Sequence, residues 1–124
     1  MGYRVFIDVE DDDLHMTQSR ELSTRCKIVN DLVKQYKNCI YVSIHVNAAA
    51  SDGKWHTGKG WEIYTSPGKT KSDNLAKCIY ESAKNNLTNV KLRTDFSDGD
   101  PDKEANLYVL NHTNCPAVLT ENLF

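Results

Sequence analysis

Two apolar runs in this chain end on side chains that can do chemistry. One is Val42-Ser43-Ile44-His45, and the other is Ala117-Val118-Leu119-Thr120-Glu121. An imidazole and a carboxylate are the groups most used to ligate a metal or carry a proton near neutral pH. In an open α/β sheet, sites form beyond the carboxyl ends of the strands, where both residues would stand. Taken singly, His45 and Glu121 each read as a hydrogen-bonded residue at a strand boundary. Delivered to one sheet edge together, they make a candidate site.

The elements that must place them follow from pattern. "CIYVSIHV" (39–46) is a nearly continuous apolar strand, of the type buried on both faces of a mostly parallel sheet. "PAVLTENLF" (116–124) starts at a proline and becomes a buried strand that reaches Thr120-Glu121. The strands 40–44 and 117–120 are expected to be central neighbours. "YRVFIDV" (3–9) and "WEIYT" (61–65) read as further strands, and "LYVL" (107–110) is short and apolar. Residues 23–37 carry Ile28, Val29, Leu32, Val33 and Tyr36 at helical spacing, with Ser23 placed as N-cap. Residues 72–86 form a second amphipathic helix, with Ser72 as N-cap and a stripe of Leu75, Ala76, Ile79, Tyr80 and Ala83. Strands alternating with helices give an α/β class: a mostly parallel, twisted central sheet flanked by helices.

Bulk properties narrow the function. The 124 residues make one domain, 1–124, large enough for a real core. Net charge is −2, which leaves no electrostatic footprint for nucleic acid or membrane. No apolar run approaches bilayer-spanning length, the N-terminus is not a secretory signal, and Phe6 stands where myristoylation wants Ser or Thr. Cys26, Cys39, Cys78 and Cys115 form no C-x-x-C pair. The first three fall on apolar faces of predicted elements and read as buried free thiols.

Other motifs fail on inspection. Asp98, Asp100 and Asp102 alternate like calcium-loop ligands, but Lys103 takes the required glycine position and Val109 that of the bidentate glutamate. The segment 95–106 therefore reads as a polar loop. Gly68-Lys69-Thr70 resembles the end of a P-loop, yet Ile63 occupies the earlier glycine position. His15, His56 and His112 read as loop histidines, and Trp55, Trp61 and Tyr64 as core or turn packing.

Three stretches, "VSIHVNA", "GWEIYTSPG" and "LYVLNHTNCPAVLTENLF", resemble the zinc-dependent N-acetylmuramoyl-L-alanine amidases that cleave peptidoglycan. With "KTKSDNLAKCIYESAK", the likeness is to the phage or prophage lytic type and runs from about Leu22 onward. It implies hydrolysis of the amide between N-acetylmuramic acid and L-alanine, with peptidoglycan as partner. It also implies His45 as a zinc ligand and Glu121 as the catalytic glutamate. Zinc would supply the acidified water and the polarised carbonyl. The family's Gly-His-Gly segment, with the first zinc histidine, and the glutamate ligand after it have no counterpart here. Glu10, Asp11 and His15 are the nearby donors, with no motif to assign them. The resemblance thus implies a domain lacking its first strand and helix, with an incomplete zinc site and impaired activity. A non-catalytic peptidoglycan-binding protein is the alternative. A missing strand would also leave a sheet edge open, and self-association is expected from it.

Overall fold

The computed structural model describes residues 2–8, 16–46 and 59–123. In chain order these form α1 (Gln18–Tyr36), β1 (Tyr41–His45), β2 (Trp61–Thr65), α2 (Lys71–Asn86), β3 (Lys103–Glu104), α3 (Tyr108–His112) and β4 (Ala117–Asn122). The four strands make one sheet in the order β1-β4-β2-β3. β1 runs parallel to β4, and β2 parallel to β3, while β2 and β4 are antiparallel. The expected neighbours are neighbours: Tyr41 pairs with Ala117 and His45 with Glu121.

Alternation along β4 divides the core in two. Ala117 and Leu119 pack with Cys26, Val109 and Leu110 beneath α1 and α3. Val118 faces the other way, into a cluster of Trp61, Ile63, Ala76 and Ala83 beneath α2. The stripe read for residues 72–86 is the stripe that packs, with Leu75, Ile79 and Tyr80 completing this second cluster. Cys26 is buried, but Cys78 is exposed, because it projects from α2 away from the buried Ala76.

Some expectations are corrected. β1 is an edge strand among the described residues, with Val42 and Ile44 on its exposed side, whereas β4 and β2 are the central, buried strands. Residues 3–8 form no strand; Val9 lies outside the described residues. Three side chains make surface contacts instead: Arg4 donates to the Tyr36 hydroxyl at 3.0 Å, Phe6 meets Tyr36 with ring centroids 5.2 Å apart, and Asp8 accepts from the Tyr41 hydroxyl at 3.0 Å. Tyr3, Val5 and Ile7 are left exposed. These side-chain anchors hold the segment without a backbone ladder. The 95–106 loop yields a two-residue strand, β3, and residues 108–112 are helical.

The helix starts also move. α1 begins at Gln18 with Thr17 as N-cap, and Ser23 instead donates to the Arg20 carbonyl inside the helix. α2 is capped by Thr70. Its hydroxyl accepts from the Ser72 N–H at 3.0 Å, while Asp73 accepts from the Thr70 N–H at 2.8 Å. Ser72 is buried, and its hydroxyl accepts from the Ala117 N–H at 3.0 Å, tying the helix to the start of β4. Thr70→Ala is therefore expected to cost about 1 kcal/mol through the lost cap. Ser72→Ala is expected to cost about 1–3 kcal/mol through a buried N–H left without a partner. Urea unfolding of the two variants checks the order.

Candidate functional site at the carboxyl end of β1 and β4

β1 and β4 both end at the edge where His45 and Glu121 stand in register. The antiparallel pairing of β2 with β4 sets Glu62 opposite Glu121 on the other side. Partners in register project to the same face, so His45, Glu121 and Glu62 form a row across three strands. Both neighbours act on Glu121. Burial raises its proton affinity most, His45 opposes that rise, and the Glu62 charge adds to it. Its Oε2 is buried without a hydrogen-bond partner. His45 is exposed, and its Nε2 lies 2.9 Å from the Ser43 hydroxyl.

Glu62 is the residue of this row that sequence reading missed. It is 1% exposed, yet charged groups surround it. Arg93 Nη1 reaches its Oε1 at 3.0 Å, Lys103 Nζ contacts its Oε2, and the Tyr64 hydroxyl donates to Oε2 at 3.1 Å. Burial, with the Glu62 charge beside it, pushes the Tyr64 phenol up to about 12. The alternation in "WEIYT" was the available signal, since it puts Glu62 on the Tyr64 side of β2.

Arg93 gets there through a glycine. Gly60 has φ +143°, and a Cβ on it would meet the Lys91 carbonyl at 2.7 Å and the Arg93 side chain at 2.9 Å. Without a side chain at 60, segment 91–93 closes on β2: Trp61 N–H donates to Lys91 O at 2.8 Å, and Arg93 N–H donates to Trp61 O at 2.9 Å. Asn122 holds the same end together. Its Nδ2 donates to the His45 carbonyl and the Thr120 hydroxyl, each at 3.0 Å, and its Oδ1 accepts from Trp61 Nε1 at 3.0 Å.

Other sequence candidates lie elsewhere. His112 ends α3, before β4 begins, and stacks on Tyr108 at 3.9 Å. Trp61 is buried core. Glu10, Asp11, His15, Trp55 and His56 lie outside the described residues. Among the described residues, no three His, Cys, Asp or Glu side chains are grouped to hold a metal ion. No helix among them is long and apolar enough to cross a membrane. Among the described residues, an open cleft along α1 and α3 and another around Cys39 and Cys115 include none of His45, Glu62 or Glu121.

Residues 1–124 match the sequence profile of the N-acetylmuramoyl-L-alanine amidases. Among solved structures, the chain is similar to N-acetylmuramoyl-L-alanine amidase from Clostridium difficile 630. That match has 26% identity and a TM-score of 0.63, over 83% of this chain and 48% of that one. It shares its fold with the CwlD amidase from Clostridioides difficile, solved in complex with the GerS lipoprotein. There identity is 24% and the TM-score 0.60, over 93% of this chain and 56% of that one. The amidase AmiC2 of Nostoc punctiforme has the same fold at 21% identity and TM-score 0.61, over 93% of this chain and 52% of that one. The chain thus spans about half the length of these structures. No curated protein matches it significantly.

Removing two cationic partners of Glu62, as in Arg93→Met with Lys103→Met, strips compensating charge from a buried carboxylate. The double variant is expected to lose about 3–5 kcal/mol at neutral pH, measured by urea unfolding. Adding Glu62→Gln should recover part of that loss.

Proposed function

Because the chain belongs to the N-acetylmuramoyl-L-alanine amidase family, we propose that its site acts on peptidoglycan. The bond addressed is the amide between the lactyl group of N-acetylmuramic acid and L-alanine. The observation that carries this reading is the register of His45 with Glu121 at the shared end of β1 and β4. Glu121 is the proton carrier. Its buried Oε2 has no hydrogen-bond partner, so it is free to accept a proton from the attacking water and pass it to the leaving amine. The assignment to a phage or prophage lytic type rests on the sequence resemblance, the 69–84 stretch included.

Zinc is the cofactor the resemblance implies, and the described residues do not fit a complete zinc site. Catalytic zinc keeps three protein ligands, and His45 supplies one. We therefore assign His45 as a ligand that, by itself, holds the metal weakly. The same shortfall favours a second reading, in which the chain binds peptidoglycan without turning it over.

Purified peptidoglycan incubated with the chain distinguishes the two, with released stem peptides carrying a free alanine amino group read by mass spectrometry. Slow release that depends on added zinc is expected, with well under one zinc retained per chain after dialysis against a mild chelator. Glu121→Gln should then cut release by ~10²–10⁴-fold without altering zinc uptake, and His45→Ala should lower both. Cosedimentation with peptidoglycan and no release at any zinc concentration would favour the binding reading.

A second copy of the chain is the partner proposed for β1. Its outer edge has no strand partner among the described residues, and Ile40, Val42, Ile44 and Val46 are exposed along it. An unpaired edge is a template for another strand. Light scattering is expected to give a mass that rises with concentration, and Ile44→Lys should hold the chain monomeric.

A further inference from the structure

The segment rejected above as a calcium loop contains two acids, a buried Asp102 and a half-buried Asp100, each with a buried carboxylate oxygen. Asp102 is 2% exposed. Its Oδ2 accepts from the Thr65 hydroxyl at 2.5 Å, at the end of β2. Its Oδ1 is buried with no conventional donor, and so is Asp100 Oδ1. The two carboxyl groups lie within hydrogen-bonding reach of each other. Two carboxylates in that position repel, and neither can donate to the other unless one is protonated.

We propose that Asp100 and Asp102 share a single proton, which latches the 95–102 loop onto the end of β2 and so seats Lys103 against Glu62. The proton sits on one carboxyl and is accepted by the other; when it leaves to solvent, two adjacent anions remain, one of them buried. Among the described residues, no neighbouring cation replaces it. Lys103, next in sequence, is turned to Glu62. Glu104 is occupied by the Gly68 N–H, and Asp95 by that of Ser97. β2 presents only the Thr65 hydroxyl. The remaining acid of the loop, Asp98, is exposed. The latch matters to the site because β3 starts at Lys103 and pairs with Tyr64 and Thr65.

The chemistry fixes the direction of the pH response. Burial foremost, joined by the contact with Asp100 and opposed by the Thr65 hydroxyl, pushes Asp102 up to about 6. The folded chain therefore binds this proton more tightly than the unfolded chain, whose aspartate titrates near about 3.9. The stabilisation is complete below that lower value and is lost as pH rises through about 6.

The test is a carboxyl-carbon NMR titration of the intact chain, paired with melting temperatures of the parent and Asp100→Asn between pH 4.5 and 8. Asparagine at 100 donates an N–H to Asp102 permanently. Asp102 should titrate near pH 6 in the parent and clearly lower in Asp100→Asn. The variant should gain melting temperature over the parent as pH rises through 6. Ordinary titration of Asp102 in the parent, or a variant-to-parent difference that does not change with pH, would overturn the proposal. So would calcium or magnesium chloride at pH 7 that stabilised the parent and not Asp100→Asn, since the pair would then be a cation clamp. The parent titration decides the matter even if the variant folds poorly.

Discussion

Everything at the candidate site depends on β4 lying between β1 and β2. That one strand pairs in parallel on one side and antiparallel on the other, and the two registers meet at Glu121. A histidine is thereby delivered from one direction and a second carboxylate from the other. Two carboxylates on adjacent strands are costly in a poorly hydrated setting, because like charges directly opposite repel. The fold meets this cost at Glu62, where Arg93 and Lys103 supply compensating charge from two separate segments. Glu121 is left with the opposite balance, since burial and the neighbouring Glu62 both favour its protonated form. Two glutamates a strand apart thus have different environments, one ion-paired with Arg93 and Lys103 and one whose proton affinity is raised by burial.

Much of this was legible in the sequence, for identifiable reasons. The apolar runs before His45 and Glu121 are long enough to fix their strands, and in parallel strands that end together the register follows. The stripe of α2 was readable because small residues at Ala76 and Ala83 recur at helical spacing beside larger ones. Helix starts were misread because Ser23 and Ser72 look like caps wherever they occur. Nothing local says that Ser72 serves the Ala117 N–H on a distant strand. The buried role of Glu62 was hidden for the same reason: its cations lie 31 and 41 positions downstream. The segment 3–8 has the alternation of a strand, yet tertiary anchors to Tyr36 and Tyr41 decide its conformation.

Membership of the amidase family and the shared fold of the solved amidases give the sheet its meaning. Among the described residues, few metal donors stand beside these strand ends. The edge remains organised by the Asn122 amide, which spans β1, β4 and Trp61 of β2. Order at the site therefore comes from backbone and amide contacts within the sheet, and His45 is oriented by its own strand.

The parallel pairing of β1 with β4 also has a kinetic side. The two strands are separated by about 75 residues of chain, so their contact is among the most non-local in the molecule, and such contacts form late. During synthesis β1 emerges long before its partner exists. Through that interval its apolar side chains and both of its hydrogen-bonding edges are uncovered, the state in which chains aggregate or recruit chaperones. When β4 arrives, one pairing event closes the inner edge of β1, completes both core clusters and brings His45 to Glu121. The pairing of His45 with Glu121 is thus assembled only as β4 docks, and a chain caught short of that step lacks it.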